Sequence, residues 1–207
     1  MKILIVTPPC HFKNIGAAQR DIYSIIIELQ KLGCEVSLYT IGSMSQHLET
    51  LNIIADKYHI SVKIFMSPSG AVRRLLRIIV KPSLFYGAAY VFDQMVGDKV
   101  FLKYLQIFKP DCIFSFCSYS WPVLELGKKM GIKTIFRSHN FESDFFYESL
   151  NKWQKLNPLN WLRVLAKYFG EKNAIHFSDA VGTLPFEQIK KYQAWKKNVV
   201  YILTLIF

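Results

Sequence analysis

"MKILIVTPPCHFKNIGAAQRDIYSIIIELQKLGCEVSLYT", residues 1–40, reads as strand, loop, helix and second strand. "KILIVT" (2–7) is an apolar run that stops at a Pro pair. Over 17–33 the period changes. Ile22, Ile25, Ile26 and Leu29 recur at helical spacing and share one face, and Gly33 follows as a helix stop. "CEVSLYT" (34–40) is a strand again. A strand with a continuous apolar run is buried on both faces, as a parallel sheet covered by helices requires.

The alternation continues outward from this unit. "VKIFM" (62–66), "DCIFSF" (111–116), "KTIFRS" (133–138), "DAVGTL" (179–184) and "NVVYIL" (198–203) read as further strands. Helical patterns lie around 84–108, 120–130 and 160–177. No internal repeat, low-complexity tract or long linker divides the chain. The expectation is an α/β fold: a Rossmann-like, doubly wound, mostly parallel sheet with helices on both faces, in a single domain over 1–207.

The 207 residues are 51% hydrophobic and 15% aromatic, enough for a substantial core. The net charge is +11 and the pI about 9.5, which favours an anionic partner. Nucleic acid, acidic lipid headgroups and a phosphorylated ligand all qualify. The basic residues are spread over several elements with no helix-turn-helix, RRM or zinc-finger pattern, so nucleic acid is not expected. Cys10, Cys34, Cys112 and Cys117 form no CxxC pair and read as buried thiols in a reducing compartment. Cys112 and Cys117, five apart, point to opposite faces of a strand, which argues against a shared metal. The N-terminal apolar run is too short for a signal sequence, and longer apolar stretches are broken by charges or Pro. A cytoplasmic chain that does not span a membrane is expected.

In such a sheet, ligands bind beyond the carboxyl ends of the strands. Loops 8–17, 117–121 and 138–146 occupy that edge. In the first, Gly16 stands just before a helix, where free amides suit an anion, and Arg20 is one turn in. A plain strand-to-helix turn also needs only one Gly, so both readings stand. There is no GxGxxG and no GKS/T, and the second strand ends in "LYTIG" without an acid, which argues against a dinucleotide enzyme. In "FRSHNFESDFF" (136–146), Arg137 and His139 alternate toward one side. His139 can bond a sugar hydroxyl or move a proton, and Arg137 can pair with a carboxylate or phosphate. Asn140 suits a turn, and Glu142 and Asp144 can stabilise the first turn of the segment that follows. The polar end of a buried strand would look much the same. "AVRRLLRIIVKP" (71–82) spaces Arg73, Arg77 and Lys81 four apart with Arg74 beside them, among apolar neighbours. It reads either as a basic helix on an anionic membrane surface or as a helix packed on the sheet with its basic side in water.

Taken in order, "KILIVTPP", the Gly-containing loop, "IIIELQKLGCEVSLYT", "FRSHNFES", "FSDAVGTLPFEQIKKY" and "NVVYI" resemble the N-terminal half of a GT-B-fold glycosyltransferase of the family 4 type. The resemblance implies an acceptor-side domain that faces a donor domain across a cleft. It implies that the loop at Gly16 approaches the donor diphosphate and that His139 faces the transferred sugar. Arg137 and Asn140 would support that loop, and Glu142 would anchor it. It implies a nucleotide-sugar co-substrate, no cofactor and no metal. The acceptor would be a glycan or lipid-linked molecule at the inner face of a membrane, in cell-surface polysaccharide or glycolipid synthesis. The sequence departs from the pattern twice. Only Gly16 stands where the family commonly has paired glycines. After "NVVYI" the chain reads "LTLIF" and ends, and the expectation is a chain without the C-terminal nucleotide-sugar domain. A truncated product, a split enzyme with a separate donor-domain chain, or an isolated domain would each read this way, and the domain alone is expected to be inactive. The alternative is a non-catalytic basic membrane-surface or scaffold module.

Overall fold

Among the described residues, seven strands form one sheet in the order β3-β2-β1-β4-β5-β6-β7, and every neighbouring pair is parallel. They are β1 (Lys2–Thr7), β2 (Glu35–Ile41), β3 (Ser61–Phe65), β4 (Cys112–Ser115), β5 (Lys133–Ser138), β6 (Ala180–Thr183) and β7 (Val199–Tyr201). The computed structural model describes residues 1–8, 17–42, 52, 54–66, 77–85, 87–138, 141–183, 189–195 and 199–201. The order reverses between β1 and β4, because the chain winds outward from β1 in one direction and then returns to its other side. That switch point is where open α/β sheets hold ligands.

The helices are α1 (Ala17–Lys31), α2 (Gly87–Met95), α3 (Lys99–Phe108), α4 (Trp121–Lys129), α5 (Glu142–Ser149), α6 (Lys152–Lys155), α7 (Pro158–Phe177) and α8 (Ile189–Trp195). Short helical stretches also occupy 54–58 and 77–80, and Pro82–Phe85 and Ser118–Ser120 form 3-10 turns. Successive strand residues feed opposite layers. Ile3 and Ile5 pack with Ile22 and Ile26 of α1, whereas Leu4 and Val6 pack with the layer that contains α2, α3 and α4. Cys112 lies in the first layer and Cys117 in the second, on the opposite sides expected from their spacing. Cys117, however, follows the end of β4 rather than belonging to it.

Gly33 ends α1 with φ +75°, and the Cys34 amide donates back to the Leu29 carbonyl at 3.0 Å. Only a residue without Cβ adopts that left-handed turn cheaply. The helical pattern expected around 84–108 is broken in two. Gly97 and Asp98 interrupt it, and the Asp98 carboxylate accepts the Phe101 amide at 3.0 Å to start α3 afresh. The helix at 142–149 begins at the first turn that Glu142 and Asp144 were expected to stabilise, whereas the helix at 152–155 was not expected. Their sequences lack a clear apolar period, and α5 is held by tertiary contacts instead.

Candidate functional site

The carboxyl edge of the sheet is closed by two consecutive loops, after β4 and after β5. Beyond β4, the Ser115 and Ser120 hydroxyls lie against each other and within 3.0 and 2.8 Å of the Cys117 carbonyl, so one donates to that carbonyl and the other can donate to its neighbouring hydroxyl. These short side chains fold the chain into the Ser118–Ser120 turn. Ser118 faces the second loop. Its hydroxyl and amide donate to the Glu142 carboxylate at 2.9 and 3.3 Å.

Glu142 is the first residue of α5, and the residue before it, Phe141, has no side-chain oxygen to cap the helix. The cap comes from α7. Glu171 is fully buried and accepts the amides of Glu142 and Ser143, the latter at 3.3 Å, together with the Ser143 hydroxyl at 2.6 Å. A carboxyl at a helix N-terminus accepts from orphan amides and, when ionised, also complements the helix dipole. Ser118, Glu142, Ser143 and Glu171 thus form a continuous brace at the start of α5.

Two buried cations flank the brace. Lys167, one helical turn before Glu171, donates to the Tyr119 hydroxyl at 2.7 Å, with its ammonium over the rings of Tyr119 and Phe146. Burial lowers its pKa, and the charges of Glu142 and Glu171 oppose that. Burial also pushes the Glu171 carboxyl up to about 7 against the Ser143 hydrogen bonds, with the Glu142 charge adding to the rise. Arg137, fully buried at the end of β5, donates to Asp21 of α1 at 2.7 Å. Burial lowers the Arg137 pKa, and Asp21 holds against it. The pair ties α1, the helix that follows β1, to β5. Ser138, the last residue of β5, bonds the Tyr192 hydroxyl of α8 at 2.5 Å.

Of the residues singled out from sequence, Arg137 and Glu142 therefore meet protein partners at this edge. Arg20 stands in α1 with an exposed side chain, and its carbonyl accepts the Ser24 hydroxyl at 2.9 Å. Gly16, His139, Asn140, Arg73 and Arg74 lie outside the described residues. Arg77 and Lys81 both pair with the buried Asp93 of α2, Lys81 at 3.7 Å. Lys81 also reaches Glu125 of α4 at 3.5 Å, and its ammonium lies 5.1 Å from the Trp121 ring centre. These two cations are engaged with the fold, while Ile79 and Val80 beside them are exposed. Among the described residues, no three His, Cys, Asp or Glu side chains group as metal ligands.

Sequence reasoning passed over Asp21, Ser118, Lys167 and Glu171. A signal for the last two was present. Ala166, Gly170 and Ala174 recur every four residues and let α7 approach closely, and Lys167 and Glu171 occupy the same buried side. A Cβ at Gly170 would stand 3.9 Å from the Trp121 ring and 4.0 Å from the Ser118 carbonyl.

No family model and no curated protein matches this chain. Solved structures do. UDP-GlcNAc 2-epimerase from Neisseria meningitidis, bound to UDP-GlcNAc, superposes with a TM-score of 0.58 at 12% identity, over 100% of this chain and 47% of that one. Arabidopsis thaliana UGT89C1 complexed with quercetin gives 0.55 at 15% identity, over 100% and 50%. Phytolacca americana apo UGT2 gives 0.56 at 9% identity, over 99% and 52%. The chain spans about half the length of each. At these identities the likeness shows the fold, and that fold is the Rossmann-like half of a GT-B protein.

Proposed function

We propose that this chain is the acceptor-side half of a glycosyltransferase that moves a sugar from a nucleotide-sugar donor to a glycan or lipid-linked acceptor. The observation that carries the reading is the brace at the carboxyl edge of a GT-B half-domain. Glu171, Glu142 and Ser118 hold the turn after β4, which borders the switch point, to the start of α5 beyond β5. A preorganised loop of this kind is what transfer requires, since reacting groups must be held to within a fraction of an ångström. His139 follows Ser138, the last residue of β5, in the sequence. In the reaction, the acceptor hydroxyl oxygen bonds to the anomeric carbon as the bond from that carbon to the diphosphate oxygen breaks. The hydroxyl proton leaves, and the nucleoside diphosphate departs. His139 faces the transferred sugar, and Arg137 and Glu142 fix the loop on either side of it. Gly16 and Arg20 face the donor diphosphate. The donor itself binds on a further domain, in the same polypeptide or a separate one, and no metal takes part.

The fold alone does not choose this reaction, because an epimerase and plant transferases share it. The test is therefore chemical. The chain is joined to a donor-binding half and assayed with a nucleotide sugar and a lipid-linked acceptor. Transfer is expected, and His139→Ala should lower it by on the order of 10²-fold or more. Epimerised nucleotide sugar without transfer, or transfer indifferent to His139→Ala, would overturn the assignment.

A further inference from the structure

Helix α7 is amphipathic in reverse over its first half. Its buried residues there are Asn160, Ala166 and Lys167, while Leu159, Leu162, Leu165 and Phe169 are exposed. Leu162, Leu165 and Phe169 form one stripe at helical spacing. Helix α6 continues the same character, with Trp153 81% and Leu156 72% exposed. These side chains sit on ordered backbone. Asn151 and Gln154 form a reciprocal cap on α6, and the Trp161 indole donates to the Lys155 carbonyl at 2.7 Å. The Asn160 amide donates to the Gln154 carbonyl at 2.9 Å, so α6 and α7 are fixed to each other. Soluble surfaces rarely hold contiguous apolar area of this kind without a partner.

The charge around it selects the partner. From 149 through 170 there is no Asp or Glu, while Lys152, Lys155, Arg163 and Lys167 are present. Among the described residues no carboxylate pairs with Lys152, Lys155 or Arg163. Protein–protein interface cores are depleted in Lys, whereas a bilayer interface favours Trp and Leu flanked by Lys and Arg. Phe169 also lines a pocket of about 320 Å³ with Val80, Trp121 and Phe177, so the apolar surface continues inward.

Position adds to composition. Glu171 meets the residues that follow β5, and the Phe177 carbonyl accepts the hydroxyl of Thr134 near the start of β5. Helix α7 therefore runs from the carboxyl edge of the sheet to its amino edge. The thirteen residues of α7 that precede Glu171 span roughly 20 Å and run along α5 and α6, where Tyr147 meets Trp161 and the Asn160 side chain meets the Gln154 carbonyl.

We infer that the outer side of α6 and of the first half of α7 is a contact surface for a bilayer rich in anionic lipid. It is made of residues outside the segment 71–82, which it adjoins where Phe169 and Val80 line one pocket, and it does not depend on sugar transfer, so vesicle binding tests it alone. The 207-residue chain is floated with vesicles of phosphatidylcholine alone and of phosphatidylcholine and phosphatidylglycerol in equal parts. It should float with the anionic vesicles and at least about tenfold less with the neutral ones. Trp153→Ser/Leu156→Ser, both at exposed positions, should lower anionic-vesicle binding about tenfold or more. Lys152→Glu/Lys155→Glu/Arg163→Glu should lower it about a hundredfold. Wild-type chain that floats with neither vesicle overturns the inference. So does binding that both variants leave unchanged while Arg73→Glu/Arg74→Glu/Arg77→Glu abolishes it. Self-association in solution that Trp153→Ser/Leu156→Ser disperses, without vesicle binding, would make a second copy the occupant instead.

Discussion

Arg137 and Glu171 are the two side chains through which the carboxyl edge is set. Breaking the buried Arg137–Asp21 pair from one side leaves a charge without its counterpart in a dry site. Arg137→Met is expected to cost about 3–5 kcal/mol of unfolding free energy, and Arg137→Met/Asp21→Leu to recover a large part of it. Urea denaturation of the three proteins measures this, and a double variant no more stable than the single one would contradict it. Glu171 makes stability depend on pH. Its folded pKa is about 7 against an ordinary 4.5, so the folded state keeps a proton that the unfolded chain releases. Stability contributed in this way is full below about pH 4.5, falls as pH rises toward about 7, and is lost above that. The effect is on the order of 1–3 kcal/mol. Glu171→Gln should flatten the stability profile over that window, as read from denaturation midpoints at successive pH values. A profile as steep as the wild type's would show that another group titrates.

At the scale of elements, α5 is a helix that depends on another helix for its start. Phe141 offers no cap, and the amides of its first turn are satisfied by Glu171 of α7. Glu171→Ala should cost about 1–3 kcal/mol and raise hydrogen exchange at the Glu142 and Ser143 amides above that of α1. Helix α4 is bound to the sheet by close approach. A Cβ at Gly127 would stand 2.8 Å from Thr134 Cγ2 and 2.9 Å from Ile113 Cδ1. Gly→Ala within an exposed helix stabilises by about 1 kcal/mol. Here overpacking reverses the sign, and Gly127→Ala is expected to destabilise by about 1–3 kcal/mol. Thermal unfolding decides it, and a higher Tm for the variant would refute the argument.

For the whole molecule, the layers, the parallel order and the switch point place two braced loops on one edge, with the exposed apolar side of α6 and α7 next to them. That neighbourhood suits an enzyme whose acceptor arrives from a lipid surface. Among the described residues no helix is long and apolar enough to cross a membrane. If transfer and vesicle binding are both found, neutralising Lys152, Lys155 and Arg163 should reduce transfer to a bilayer-embedded acceptor while leaving transfer to a soluble acceptor analogue unchanged. Equal loss on both acceptors would separate the surface from the reaction.

The strands were legible because burial on both faces writes itself as continuous apolar runs, as in "KILIVT" and "KTIFRS". Helix α1 was legible because its face repeats at Ile22, Ile26 and Leu29 and stops at Gly33. The edge was legible only in part. Arg137 and Glu142 stood out as polar residues at a strand end, but their partners Asp21 and Ser118 are 116 and 24 residues away. No local period links residues so far apart. Glu171 and Lys167 were hidden in a helix whose buried side is small and polar and whose outer side is apolar, the reverse of the usual pattern. The sequence by itself determined the parallel sheet, since local burial preference requires no partner to be read. Tertiary structure alone decided which carboxylates brace the edge and which apolar residues remain outside, because pairing and exposure depend on where distant elements meet.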